Sequence, residues 1–257
     1  MTSQIILTAL PEIPLVKPGD NLAALILESL KRSNLTLHDG DLLVVAQKVV
    51  SKAEGRLINL ADVEPSPAAI ILAEETDKDP RLVEVILKDT HRVLRKREGL
   101  IIVEHRLGFV CANAGVDHSN VGGGISDHDQ WVSMLPEDPD ASAQRLRQRL
   151  QEKTGANIGV LVIDSHGRAW RMGTVGVAIG VAGIPSLLDL RGRPDLFDYT
   201  LQTTQVGLAD ELAAAASILM GQANEGFPVV HIRGLPYDLR EGSLNELIRP
   251  KELDMFR

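Results

Sequence analysis

The stretch 158–163, IGVLVI, does most to limit how this chain can fold. It has no polar side chain, is too short for a core helix, and reads as the most deeply buried strand of the protein. It runs straight into Asp164 and Ser165. A second apolar run, DLLVVA at 41–46, ends the same way, in Gln47 and Lys48. Strands are also expected at 99–104, 109–112 and 229–232, with residues 99–113 forming a hairpin that turns at 106–108. Only 3% of the chain is aromatic, so the core must be built from Leu, Ile, Val and Ala. A hydrophobic content of 44% over 257 residues suffices for one large domain or two interleaved subdomains.

Helical stripes complete the outline. Residues 21–32 carry Leu22, Leu25, Ile26 and Leu30, with Asp20 as the expected N-cap. A helix over 80–91 follows the cap Asp79 and starts on Pro80, whose missing N–H costs nothing there. Helices at 140–154 and 208–220 end at Gly155 and Gly221. Strands and helices come partly in runs rather than in strict alternation, which favours an α+β fold over a doubly wound sheet.

Several classes are excluded or disfavoured. No run of 18 apolar residues exists, and the start MTSQIILTALPEIPLVKPGD lacks a basic leader with a long apolar run and cleavage site, so a soluble, cytoplasmic protein is expected without a membrane partner. The single cysteine, Cys111, rules out internal disulfides and multi-cysteine metal sites. A net charge of −8 argues against nucleic acid as the main partner. The basic runs HRVLRKREG (91–99) and RLRQRLQEK (145–153) read as solvated helical faces.

Four segments place polar or glycine-rich residues at the end of an apolar element, where a scaffold best presents chemistry. In LLVVAQKVVSKAEGR (42–56), Lys48 and Lys52 follow a buried strand and could bind phosphates; the plainer alternative is an edge strand with exposed lysines. In FVCANAGVDHSN (109–120), Asn113, Asp117, His118, Ser119 and Asn120 crowd a turn and offer oxygen donors for Mg²⁺ or Mn²⁺, or simply hydrogen bonds within the turn. In GVLVIDSHGRAWRMGTVGVAIGVAGI (159–184), Asp164 and Ser165 precede Arg168, Arg171 and glycines 173, 176, 180 and 183; the glycines allow close approach of a ligand or another strand, or mark a turn. In LMGQANEGFPVV (219–230), Gln222, Asn224 and Glu225 lie between a helix end and a strand, which an ordinary connection also explains.

Neither a G-x-x-x-x-G-K-[ST] loop nor a G-x-G-x-x-G helix start is present, and the Gly122-Gly123-Gly124 triplet has no helix pattern after it. His118 and His166 suit supporting or solvent roles, lacking zinc-type spacing. Two aspartates, a hydroxyl, an amide and several cations together are what phosphoryl transfer requires. Residue chemistry therefore reaches a metal-dependent enzyme acting on a phosphate ligand.

The same segments resemble the coenzyme F-420-0:gamma-glutamyl ligase family: IPLVKPGD (13–20), VSKAEGR (50–56), NAGVDHSNV (113–121), LPEDPDASA (135–143), IDSHGRAWRMG (163–173), VAIG (177–180) and MGQANEGFP (220–228), in the right order and nearly end to end. The resemblance implies a GTP-dependent ligase of two interleaved α+β subdomains that acts as a homodimer. It would activate the phospholactyl carboxylate of coenzyme F-420-0 as an acyl phosphate and join it to the amine of L-glutamate, with further γ-linked addition. It implies two divalent ions, Mg²⁺ or Mn²⁺, and K⁺, with Asp117 and Asp164 as metal ligands and Ser165 and Gln222 at the second ion. Lys52 joins Asp117 and Asp164 as a catalytic residue. Nucleotide contacts would come from Ile13, Pro14, Leu15, Val16, Gln47, Lys48, Lys52, Asn120, and the loop Met220, Gly221, Gln222, Ala223, Asn224, Glu225, Gly226 and Phe227. Gln47-Lys48 departs from the small hydroxyl residues of some relatives, and the loop 122–130 is longer and more polar than in archaeal members. The chain reads as a stand-alone unit over 1–257, without the nitroreductase-like domain of actinobacterial relatives. An amide ligase with a different carboxylate acceptor, a non-catalytic nucleotide- and metal-binding module, and a metallophosphohydrolase are the alternatives.

Overall fold

The two apolar runs that dominate the sequence lie side by side. A computed structural model of the protein describes residues 4–121 and 130–255. In chain order its elements are β1 (Ile6–Ala9), α1 (Leu22–Arg32), β2 (Leu42–Ala46), α2 (Gln47–Ala53), β3 (Leu57–Asn59), α3 (Pro67–Thr76), α4 (Pro80–Lys88), β4 (Thr90–Arg97), β5 (Leu100–His105) and β6 (Val110–Ala112). There follow β7 (Trp131–Ser133), α5 (Pro139–Thr154), β8 (Gly159–Arg168), β9 (Arg171–Ala182), β10 (Leu188–Asp189), β11 (Gln205–Val206), α6 (Leu208–Met220) and β12 (Val229–Arg233).

β2 and β8 pair in parallel, from Leu42 opposite Gly159 to Ala46 opposite Ile163. They occupy the middle of a five-stranded sheet of order β1-β12-β2-β8-β9, whose other neighbours are antiparallel. A strand covered on both faces can be apolar at every position. Leu43, Val45, Val160 and Val162 face α1 and α5 through Ile26, Leu30, Leu146 and Leu150. Leu42, Val44, Leu161 and Ile163 face α6 through Leu208, Leu212, Ala213 and Ala216. Each such buried aliphatic side chain contributes about 1.5–3 kcal/mol. The far end of β2 is fixed by Asp41, fully buried, which accepts hydrogen bonds from His231 Nε2 and Arg233 Nε at 2.8 Å each.

Two glycines of the third segment, Gly176 and Gly180, serve the packing of helices. β9 pairs Gly180 with Val162 and Ala178 with Ile163, so Ile179 is an extra residue and the strand carries a bulge. Before the bulge Gly176 lies under α6, and after it Gly180 lies under α5. A Cβ would stand 2.5 Å from the Ala213 carbonyl oxygen at Gly176, and 2.4 Å from that of Pro139 at Gly180. The close approach foreseen for these positions is to helix backbone.

The remaining strands form an antiparallel sheet β4-β5-β6 and the two antiparallel pairs β3-β7 and β10-β11. Leu72, Val83, Ile86, Ile101 and Val103 join α3 and α4 to the three-stranded sheet, while Leu60, Val85, Val132 and Met134 form a smaller core beside it. This combination of one mixed sheet with antiparallel sheets and helices is the expected α+β class. The hairpin at 99–113 also forms, its turn closed by the Gly108 N–H donating to the His105 carbonyl at 2.8 Å.

Some expectations change. Asn21 caps α1, accepting from the Ala24 N–H, because Asp20 instead accepts from the Lys17 N–H at 2.7 Å. The basic run 91–99 falls largely in strand β4 rather than on a helix: α4 stops at Lys88, and register shifts at Thr90/Arg92 and Val93/Arg95 let a sequence without clean alternation pair with β5. The run 145–153 is helical, but Arg147 is buried and donates from Nε to the Ile158 carbonyl at 2.7 Å. The edge strand considered for the lysine segment is the helix α2. The triplet 122–124 and all but the last residue of the loop 122–130 lie outside the described residues.

Gly180→Ala should lower the unfolding free energy by about 1–3 kcal/mol in urea denaturation. Gly167→Ala, where nothing lies within 4 Å of the added methyl, should leave the midpoint nearly unchanged.

Candidate functional site

The sheet brings the sequence motifs to one end of the molecule. Residues 47–48 leave the carboxyl end of β2, and Asp164 lies one step past Ile163, the partner of Ala46. β12 runs antiparallel to β2, so the segment before it reaches the same end, where the Ala46 N–H donates to the Pro228 carbonyl at 2.8 Å. The Leu10 N–H donates to the Val229 carbonyl at 2.9 Å, which starts residues 13–16 there as well. Ligands of open α/β sheets collect beyond the carboxyl ends of parallel strands.

On α2, Lys48 and Lys52 are one turn apart and both reach the segment 117–120. Lys48 Nζ donates to Asp117 Oδ2 at 2.6 Å, to the Ser119 carbonyl at 2.6 Å and to Ser119 Oγ at 2.9 Å. Lys52 Nζ donates to the Asn120 carbonyl at 2.6 Å. Burial, reinforced by the neighbouring Lys48 charge, pushes the Lys52 ammonium below its ordinary range. Burial pushes the Asp117 carboxyl up, but hydrogen bonds from Lys48 and Ser119 more than offset this and hold it below the usual carboxylate value. Ser119 donates its N–H to Asp117 Oδ1 at 2.7 Å and its hydroxyl to Oδ2 at 2.8 Å. The Asp-x-Ser spacing of a local turn was the signal for that role.

Asp117 is delivered by an unusual backbone. Asn113, Ala114 and Gly115 take φ of 50°, 52° and 69°, three left-handed residues in succession. Each such step costs a residue with a Cβ roughly 1–2 kcal/mol, which Asn tolerates best and Gly avoids. Asn113 Oδ1 accepts from the Ile101 N–H at 3.2 Å, and the Leu135 side chain sits where a Cβ at Gly115 would be. The turn ends in a bridge between Asp117 and Ser133.

The loop after α6 joins this cluster. Asn120 Nδ2 donates to the Ala223 carbonyl at 3.2 Å, and Glu225 folds back to accept the Ala223 N–H at 2.8 Å. Gln222 through Gly226 are exposed, Gly221 and Phe227 are half-buried, and Met220 is buried. In the first segment Pro14 and Leu15 are exposed, Ile13 is half-buried and Val16 is buried. Gln47 is also buried, its carbonyl accepting from Ser51 Oγ at 2.9 Å, so its side chain serves the helix.

Asp164 and Ser165 are neighbours on a regular part of β8, opposite Val177 and Gly176, so their side chains leave on opposite faces. Ser165 shares its face with α6, from whose end Gln222 follows; Asp164 shares the other face with His166, 3.1 Å away at Nε2···Oδ2. Among the described residues no three His, Cys, Asp or Glu side chains stand close enough to hold one ion. Asp117, Asp164, Ser165 and Gln222 all offer hard oxygen donors. That set fits Mg²⁺ or Mn²⁺ completed by phosphate oxygens and water better than a protein cage.

The rest of the lysine segment builds the frame. Glu54 accepts from Ser142 Oγ at 2.6 Å and from Arg145 at 2.7 Å. Arg56 donates from Nε to the Leu135 carbonyl at 2.9 Å and from Nη2 to Asp89 at 3.1 Å. Asp89 also accepts from Arg106 Nε at 2.7 Å. His118 is exposed.

Comparison with known proteins shows the family. Residues 11–234 match the sequence pattern described as F420-0:Gamma-glutamyl ligase. The chain belongs to that family. It is 49% identical over 247 residues, 95% of this chain and 96% of the other, to a Coenzyme F420:L-glutamate ligase of Methanothermobacter thermautotrophicus. It is 50% identical to one of Methanopyrus kandleri, over 94% of this chain and 93% of the relative. The family pattern spans every residue of the cluster, from Lys48 to the loop before β12. No helix among the described residues is long and apolar enough to cross a membrane.

His105, next to the site, carries a pH signature. Burial pushes its imidazole down from 6.5 to about 4, against the opposing pull of Asp89. The native state then takes up this proton later than the unfolded chain does. Stability from this residue is complete above pH 6.5 and is lost as pH falls toward 4, by about 3 kcal/mol. His105→Phe, which keeps a ring, should flatten the acid side of the stability profile measured by urea denaturation between pH 7 and 4.5.

Proposed function

We propose that this protein is a GTP-dependent ligase that joins L-glutamate to the phospholactyl carboxylate of coenzyme F-420-0. The observation that carries the reading is the Lys48–Lys52 pair, held against the Asp117–Asn120 segment and through Asn120 against the 220–228 loop. It gathers cations, a carboxylate and a ligand-sized loop at one sheet end. The names of the relatives supply the acceptor and the amino acid.

In this reading the substrate carboxylate attacks the γ-phosphorus of GTP, the bond to the β-phosphate oxygen breaks, and GDP leaves. The resulting acyl phosphate is attacked by the glutamate amine, which loses a proton as the amide forms and phosphate departs. Lys52, buried and short of the ordinary ammonium range, neutralises phosphate charge. Lys48 exchanges its grip on Asp117 and Ser119 for a phosphate oxygen. Asp117 and Asp164 would serve as ligands of Mg²⁺ or Mn²⁺, with Ser165 and Gln222 contributing to the second ion and K⁺ assisting; when bound, such ions would offset repulsion between triphosphate and carboxylate. Residues 13–16 and 220–227 enclose the nucleotide, and further γ-linked glutamate is added at the same site.

The reading includes a homodimer. Trp170 and Met172, at the β8–β9 turn, are 83% and 95% exposed, and Leu196 and Phe197, between β10 and β11, are 97% and 88% exposed. Large apolar side chains on projecting hairpins suit burial against a second copy. Sedimentation should give twice the chain mass, and Phe197→Ser should shift it toward the monomer.

Incubating the purified protein with F-420-0, GTP, L-glutamate and Mn²⁺ should yield, by mass spectrometry, products heavier by one or more glutamyl units. GDP release without a mass change would instead mark another acceptor or a hydrolase, and nucleotide binding without turnover a binding module. Asp117→Ala and Asp164→Ala should each lower turnover more than about 100-fold; near-normal rates in both would remove the metal assignment. Lys52→Ala should weaken GTP binding about 10- to 100-fold, more than glutamate binding.

A further inference from the structure

Two of the histidines that the reaction scheme does not use, His105 and His166, are joined by one ring. His166 Nε2 lies 3.1 Å from Asp164 Oδ2. With its proton on Nε2 the imidazole donates and the carboxylate oxygen accepts. The two side chains sit two positions apart on β8 and share a face. The His166 ring rests at 49° against Phe109, with centroids 5.4 Å apart. Phe109 stacks on His105, centroids 4.9 Å apart and planes within 7°.

His105 is fully buried. Nδ1 accepts the Leu107 N–H at 3.1 Å, and Nε2 points to Asp89 at 3.9 Å without a hydrogen-bond partner. Asp89 in turn is gripped by Arg56 and Arg106. A continuous line of contacts thus runs from Arg56, in the lysine segment, to Asp164.

We propose that His166 is a positioning residue for Asp164, and that Phe109, braced by His105, sets the plane of its imidazole. The torsion that turns a carboxylate about its last bond is broad. A donor fixed on Oδ2 narrows that freedom and keeps Oδ1 directed outward as a ligand. Groups that orient metal-binding carboxylates typically change metal affinity or activity 10- to 100-fold when removed. The inference rests on the assignment of Asp164 as a metal ligand.

Mn²⁺ uptake by the full chain with GTP, followed by the loss of the free-ion electron paramagnetic resonance signal, tests it. His166→Ala should weaken Mn²⁺ binding about 10-fold or more, with the urea midpoint and metal-free GTP affinity little changed. His166→Gln keeps an N–H donor and should recover most of the loss; Phe109→Leu should fall between. Unchanged Mn²⁺ affinity in His166→Ala, or a glutamine variant no better than alanine, overturns the proposal while leaving the ligase reading intact. Absence of Mn²⁺ uptake by the wild type overturns both. If His166→Ala does not fold, Phe109→Leu decides: wild-type affinity there overturns the bracing.

Discussion

The parallel pairing of β2 with β8 is the constraint on which the rest of this structure depends. It aligns Leu42–Ala46 with residues 159–163, so two chain segments reach the same end of the sheet with their polar continuations adjacent. Ladder hydrogen bonds and burial on both faces leave little freedom to slip, because a shift by one residue would turn every side chain to the other face. The antiparallel neighbour β12 then has to begin where β2 ends, which delivers the 220–228 loop to the same place. Assembly of the candidate site is therefore a by-product of core packing, and its precision is inherited from the most buried strands.

Parts of this were legible from residues alone. The runs 42–46 and 158–163 are continuous apolar runs that form strands, and helices α5 and α6 end at glycines as the stop signals require. Strand β9 was not legible as such. Its glycines resemble turn residues, and the bulge at Ile179 breaks the period of two; only the helices pressed against Gly176 and Gly180 explain them. Helix α2 is seven residues long, lacks a side-chain cap and contains Val49 and Val50, so local preference opposes it. Within the site, the types of donor could be read, whereas the Lys48–Asp117 contact joins positions 69 residues apart and needs the fold.

The lysine segment shows how closely scaffold and site are interleaved. Lys48 and Lys52 face the 117–120 segment, while Ser51 holds Gln47, Glu54 holds α5, and Arg56 holds Asp89. A short motif of this kind looks like a chain of ligands in sequence, yet more than one of its polar residues never turns toward the site. Resemblance locates such a motif; only geometry divides its labour.

The left-handed turn at 113–115 has a consequence for how this family can vary. Most loops accept insertions because their backbone can relax, but here successive residues hold an unfavourable twist that the Asn113–Ile101 bond and the Leu135 side chain enforce from outside. The turn behaves as a loaded spring whose catch lies in other elements. Drift in β5 or at Leu135 would therefore surface as a displaced Asp117 long before the fold itself failed, making apparently remote core positions part of the evolutionary footprint of the site.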